Sequence, residues 1–266
     1  MVNGSATISA PASITLRGDL GFAAERGIDI GDDVTASFTG GGLIQNFPGA
    51  GIVMGATKGS VLQGLVINSN GKDGVQVTGA KDLLITGNNI SGNGSDGIHL
   101  EDSTDAEITS NTLSGNAADG VMVKRGQGNA IESNSIFGNT GKGINLSDGG
   151  NDSQAAPVID SASLTAGSSQ LVVKGKVIAE QGYTGKFEVQ VFYTPASTTI
   201  SDVQGQQLIY TTTTDAEPES FTFTIPVSSS VVSGGFFTAT ATPTTKPTNT
   251  SEFSNVGTVQ AAPNPL

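Results

Sequence analysis

The side chains whose types and spacing fit them for chemistry are His99, Glu101, Asp102, Lys124, Arg125 and Asp148. Glu101 and Lys124 stand 23 residues apart, and so do Asp102, Arg125 and Asp148 in succession. The surrounding text repeats at that same interval, so these residues become neighbours if each period is one coil of a solenoid. Coils stack about 4.8 Å apart, which sets Glu101 against Lys124 and Arg125 between Asp102 and Asp148. Acid, base and imidazole then meet in one place. One reading is a saccharide or uronate subsite with His99 or Lys124 as proton shuttle and Arg125 as a further catalytic candidate. The other is a ladder of ion pairs in which neighbouring coils neutralise each other.

A second cluster, Ser147-Asp148-Gly149-Gly150-Asn151-Asp152-Ser153, gathers oxygen ligands around two glycines. Ca²⁺ takes six to eight oxygens from a tight turn, so Asp148, Asn151 and Asp152 are its candidate ligands; a plain polar turn between domains is the competing reading. Asp32-Asp33 is a weaker candidate of the same kind. No other cofactor is indicated.

These residues hang on a repeat that restates itself five times from Gly51 to Leu146: Gly51-Ile52-Val53-Met54, Gly74-Val75-Gln76-Val77, Gly97-Ile98-His99-Leu100, Gly120-Val121-Met122-Val123 and Gly143-Ile144-Asn145-Leu146. Gly27-Ile28-Asp29-Ile30 is a weaker forerunner. Short apolar–polar–apolar triplets alternate with Gly, Asn, Ser and Asp, with no window of helical period. Three short strands per coil, each stacked on its counterpart, make a three-sided parallel β-helix. Ile90, Ile98, Leu100, Ile108 and Leu113 are expected inside. Asn88, Asn111 and Asn134 are expected at a turn, where Asn tolerates left-handed backbone and can hydrogen-bond along the stack. The middle residues of the triplets, Asp29, Val53, Gln76, His99, Met122 and Asn145, are expected outside. This outward column is mixed and lacks the Lys or Arg base of a polysaccharide lyase.

Near Val158 the composition turns to Thr, Val and Phe. Seven strands are predicted: Val158–Leu164, Gln170–Ile178, Lys186–Tyr193, Gln207–Thr214, Ser220–Ile225, Gly235–Thr242 and Thr250–Val259. Seven short alternating strands in about 100 residues suggest an immunoglobulin-like or fibronectin-type β-sandwich. The connection Gln154-Ala155-Ala156-Pro157 is too short for a free tether, so the sandwich should dock on the last coil. The expected division is a β-helix over 1–155 with an irregular first coil at 1–26, a sandwich over 156–260, and a tail or link to a further module at 261–266.

The repeats and their Asn column resemble the right-handed parallel β-helix superfamily typified by pectate lyases. The order of repeats, Pro157-Val158-Ile159, Phe237–Thr242 and Asn249–Ser254 is similar to bacterial secreted and cell-surface β-helix repeat proteins in which a β-sandwich follows the helix. The resemblance spans nearly the whole chain and implies an architecture, since that group has no single activity. Ser95-Asp96-Gly97-Ile98-His99 also resembles the Asn-Thr-Asp-Gly-Ile-His stretch of polygalacturonases. The next coil, Ala118-Asp119-Gly120, lacks their paired Asp, and their Gly-His-Gly and Arg-Ile-Lys elements are absent. Asp96 with Asp73 and Asp119 therefore reads as a repeated turn cap.

Lys and Arg number 12 against 24 Asp and Glu, a net charge of −12. Nucleic acid is thus an unsuitable partner, and an acidic surface disfavours polyanions. There is no Cys, so neither disulfides nor thiolate metal sites enter. No apolar run is long enough to span a membrane. The start lacks a basic-plus-apolar leader, which suggests a mature fragment of a larger extracellular or cell-surface polypeptide. Three functions follow: a non-catalytic rigid spacer or adhesin able to bind a surface glycan, a polysaccharide-active lyase, hydrolase or epimerase, and a fibre component that stacks head to tail, the chain otherwise being a monomer.

Overall fold

The computed structural model describes residues 6–9, 14–17, 25–167, 169–180, 183–196, 198–199, 203–216 and 220–262. The repeat folds as read from the sequence. One sheet stacks β3 (Ile28–Ile30), β5 (Ile52–Met54), β7 (Val75–Thr78), β10 (Ile98–Glu101), β13 (Val121–Lys124) and β16 (Ile144–Ser147), all parallel. A second side stacks β8 (Leu84–Thr86), β11 (Glu107–Thr109) and β14 (Ala130–Glu132); a third stacks β9 (Asn89–Ser91), β12 (Thr112–Ser114) and β15 (Ser135–Phe137). Both sides meet in the longer β6 (Val61–Asn68), which lies on β4 (Ala36–Gln45), and β1 (Ala6–Ser9) and β2 (Ile14–Arg17) pair with β4 in turn.

Ile90, Ile98, Leu100, Ile108 and Leu113 are all fully buried, each beneath its own column mate. At about 1.5–3 kcal/mol per buried aliphatic, this stack is a major term against the chain entropy of the coils. The glycine opening each triplet is set by crowding. A Cβ on Gly97 would lie 2.6 Å from the Gly120 carbonyl oxygen and 2.9 Å from Asn116 Nδ2. Any side chain there would push the coils apart.

Polar ladders run along the inside of the turns. Asn111 Nδ2 donates to Ile85 O at 2.8 Å and Asn134 Oδ1 at 3.0 Å, while Asn111 Oδ1 accepts the Asn88 amide and Nδ2, both at 2.9 Å. Asn70, Asn93, Asn116 and Asn139 form a second ladder of the same design. The asparagines of these two ladders do not take left-handed backbone, contrary to the expectation. That role falls to the residue before them, Gly87, Ser110 and Ser133 in one column and Ser69, Gly92, Gly115 and Gly138 in the other. The preceding residue turns the chain so that the Asn side chain can enter the core and satisfy carbonyls that would otherwise be buried unpaired.

After a tight turn at Gly150–Ser153, where Asn151, Asp152 and Ser153 have left-handed φ of 47°, 51° and 54°, seven strands follow among the described residues: β17 (Val158–Leu164), β18 (Gln170–Lys176), β19 (Lys186–Thr194), β20 (Gln207–Asp215), β21 (Ser220–Pro226), β22 (Phe236–Pro243) and β23 (Gly257–Gln260). Their order is β20-β19-β22-β23-β17-β18-β21, with β23 antiparallel to β22 and parallel to β17. Leu171 and Val173 of β18 share one core with Val189 and Val191 of β19 and Phe237 and Ala239 of β22.

The last strand is shorter than the predicted Thr250–Val259, because residues 249–254 are drawn into the seam with the β-helix. Asn249 Oδ1 accepts the Gly128 amide at 2.6 Å, Thr250 Oγ1 accepts that of Ile131 at 2.8 Å, and Phe253 packs against the coil core. In exchange, Ser251 and Ser254 hydroxyls accept the Ala241 and Ala239 amides of β22. The docking expected from the short connection is thus present, and it is side-chain specific. Stacking another molecule on this end would require displacing Gln190, Gln204, Asn249, Thr250 and Phe253.

Candidate functional site

The outward residue of each triplet in the first sheet is set by register: Gln76, His99 and Met122 lie side by side, one per coil, followed by Asn145. Three positions further along, strand becomes turn. Asp102, Arg125 and Asp148 all have positive φ there, 50°, 59° and 51°. The tight turn swings their side chains outward into one column.

Glu101, Asp102, Lys124, Arg125 and Asp148 come together as the spacing predicts. Lys124 Nζ lies 3.1 Å from Glu101 Oε1, and Arg125 Nη2 donates to the same oxygen at 2.5 Å. Arg125 also binds Asp102 in a fork, Nε to Oδ1 at 2.6 Å and Nη2 to Oδ2 at 2.9 Å, and its Nη1 lies 3.9 Å from Asp148. The guanidinium therefore faces three carboxylates, two on the coil before it and one on the coil after. Hydrogen bonds from Lys124 and then Arg125 hold the Glu101 carboxyl below its usual range, and Arg125 does the same for Asp102. Arg125 is raised in return, first by Asp102 and then by Glu101.

His99 does not join this network. Among the described residues, no hydrogen bond or ion pair links it to Glu101, Lys124 or Arg125. Its Nδ1 lies 3.0 Å from Asp96 Oδ2, at the turn that opens its own strand. The imidazole is half-buried and its pKa is raised: the Asp96 hydrogen bond dominates, burial opposes it, and the charges of Asp73, Asp96 and Glu101 add to it. The expected single site is thus two: an exposed ion-pair ladder and a His–Asp pair one step inward.

The aspartate column behind this pair does not cap its own turns as expected: among the described residues, each carboxylate accepts an amide of the next coil instead. Asp73 Oδ1 accepts the Asp96 amide at 2.9 Å, and Asp96 Oδ1 that of Asp119 at 2.8 Å, so each carboxylate ties its coil to the next. The second oxygen is free to look outward: Asp96 takes His99, and Asp119 takes Asn145 Nδ2 at 2.7 Å. Asp73 and Asp96 were readable as partners of His99 from one signal. The Asp three residues before the outward position recurs, while a histidine stands there once.

The structure does not assemble Asp148, Asn151 and Asp152 as a calcium loop. Asn151 is wholly buried as the last rung of a third ladder. Its Oδ1 accepts the Asn129 amide and Nδ2, and its Nδ2 donates to Asn129 O and Thr250 O. Asp152 Oδ2 is taken by Asn249 Nδ2 at 2.8 Å, and Asp148 turns to Arg125. Asp32 likewise spends Oδ1 on the Ala56 amide at 2.8 Å. Among the described residues, Asp73, Asp96 and His99 do converge, with ligand atoms within 4.8 Å of one another.

No helix of the described residues is long and apolar enough to cross a membrane. No curated protein matches the chain. Among solved structures, the enzymatically active domain of bacteriophage CBA120 tailspike protein 2 is similar at 11% identity with a TM-score of 0.34, over 81% of this chain and 52% of that one. The chain thus spans about half the length of that relative. The family model described as "Right handed beta helix region" matches residues 24–178, from the first complete coil through β17 and β18. With more than half of its length so matched, and its coils stacked in parallel register, the chain belongs to the right-handed β-helix family.

Proposed function

We propose that this chain is a non-catalytic module of an extracellular or cell-surface protein: a rigid β-helix rod, closed at one end by an immunoglobulin-like β-sandwich, whose outward strand face contacts glycans. One observation carries the reading. The charges that sequence spacing brings together are consumed by one another, Arg125 by three carboxylates and Lys124 by Glu101. A general base must be free to take a proton from substrate, and these groups are committed elsewhere. A planar guanidinium flanked by carboxylates does suit hydroxyl recognition, since sugars accept and donate at once.

The strand order supports the immunoglobulin-like reading. With β17 to β23 as seven successive strands, β21-β18-β17 and β23-β22-β19-β20 are the two sheets such a sandwich needs, and the parallel contact of first and last strands joins them. The polysaccharide-active alternative has one observation in its favour, the His99–Asp96 pair, because a carboxylate orients an imidazole for proton transfer.

A glycan-binding array run beside a polysaccharide-cleavage screen separates the two. Saturable binding to neutral or mixed glycans without product release supports the module. Turnover that vanishes in His99→Gln with an unchanged melting temperature would replace it with the enzyme.

A further inference from the structure

The carboxylates behind His99 are stacked and buried, with little to balance them. Asp73 and Asp96 are 8% and 5% exposed. Among the described residues, no Lys or Arg forms an ion pair with either, and the one cationic partner in reach is His99. Two buried carboxylates on adjacent coils are costly unless a positive charge or strong hydrogen bonds compensate them.

The outer oxygens of the column show where compensation is missing. Asp119 Oδ2 receives Asn145 Nδ2, and Asp96 Oδ2 receives His99 Nδ1. The offset of 26 residues from Asp119 to Asn145 is also that from Asp73 to His99, but among the described residues Asp73 has only its Oδ1 bonded, to the Asp96 amide. Asp73 Oδ2, without a donor among the described residues and open to solvent, therefore stands near an imidazole already set against a second carboxylate.

We propose that Asp73, Asp96 and His99 form a binding site for one divalent first-row transition ion of the Zn²⁺ or Mn²⁺ type. The ligand set is two carboxylate oxygens and one imidazole nitrogen, and the imidazole favours such ions over Ca²⁺ or Mg²⁺. Metal–oxygen and metal–nitrogen bonds of about 2.1 Å put adjacent ligand atoms of an octahedral ion about 3 Å apart. The Asp96 Oδ2 to His99 Nδ1 distance is 3.0 Å. All three ligand atoms lie within 4.8 Å of one another, so Asp73 closes on the ion with a small movement. On binding, the ion replaces the Nδ1 proton, which leaves to solvent. The remaining coordination positions point outward and are open to water or a saccharide hydroxyl. The ladder bonds through Asp73 Oδ1 and Asp96 Oδ1 fix both carboxylates from behind, a preformed second shell.

The chain has one His and no Cys, so an ion anchored by imidazole has a single place to go. The test uses the full chain without an affinity tag, stripped of metal, titrated with Zn²⁺ by calorimetry and with Co²⁺ by visible absorption, while NMR follows the ring resonances of His99. The expected result is saturation at one equivalent with shifted ring resonances. Asp73→Asn keeps the amide-accepting oxygen and should weaken binding at least about tenfold, and His99→Gln should abolish it. Asp119→Asn, in the same column but bonded to Asn145, should bind as the wild type does. Absence of saturation, unmoved ring resonances, or undiminished affinity in Asp73→Asn overturns the site. The titration contains no glycan, so its outcome is independent of the proposed glycan contact.

Discussion

Inside the β-helix each ladder is continued by a copy of itself, and at its end the same ladders are continued by unrelated residues. Asn116 N and Nδ2 donate to Asn139 Oδ1; one coil on, Asn139 N and Nδ2 donate to Gln204 Oε1 at 3.4 and 3.0 Å. Gln204 Nε2 returns two bonds, to Asn139 O and Gly141 O. The Ile136 amide finds Gly205 O, and that of Ser133 finds Gln190 Oε1 at 2.8 Å. The space over Gly143 where a further coil would lie is filled by Phe253. The C-terminal unit thus imitates a coil without sharing its sequence. Repetition satisfies buried groups by period, whereas a seam must satisfy each one singly.

The largest effects belong to the repeated interior. Ile98→Asp buries a charge in the aliphatic stack and is expected to unfold the chain, read as loss of the cooperative melt in circular dichroism. Asn116→Leu should cost about 1–3 kcal/mol for each buried group it leaves unpaired, measured by denaturant unfolding. Gln204→Leu makes the same kind of cut at the seam. It should cost less than Asn116→Leu, because the groups it uncovers lie nearer solvent and can recruit water. Equal or larger loss at Gln204 would overturn the ranking.

The seam carries a liability that the interior lacks. Glu132 faces Glu188 across it, with Glu107 on the coil before. Burial above all, and then the charge of Glu188, push the Glu132 carboxyl up, while a hydrogen bond from Thr242 partly offsets them. A folded pKa above the unfolded value means the neutral acid is favoured by folding. Its contribution is fully present below the ordinary glutamate pKa of about 4.3 and is lost as pH rises through the folded value. Glu132→Gln should therefore match the wild type at low pH and melt higher at neutral pH. A gap that shrinks with rising pH contradicts this.

The smallest effect is expected on the exposed ladder. Arg125→Gln removes a side chain bonded to three carboxylates, yet all are solvated and screened. Its melting temperature should stay close to the wild type's, and glycan binding should fall instead.

The interior was almost wholly legible, since stacking makes a residue's column a statement about its contacts. Ile98, Asn111, and the pairing of Glu101 with Lys124 could all be read from the 23-residue interval. What the interval could not show was side-chain direction within a turn. It grouped His99 with Arg125, although the imidazole turns back to Asp96, and it offered Asn151 to a calcium ion, although that side chain ends a buried ladder. The seam was the least legible part. Gln204, Gln190 and Thr250 recur at no period, and their role appears only when two distant stretches meet.

The most direct test of this substitution is amide hydrogen exchange by NMR on the intact chain, comparing Gly128, Ile131, Ser133, Ile136 and Asn139 with their column mates Asp105, Ile108, Ser110, Leu113 and Asn116. If the C-terminal unit stands in for a coil, the two sets are protected to a similar degree. Exchange in the first set faster by orders of magnitude, as at a frayed end, would contradict it.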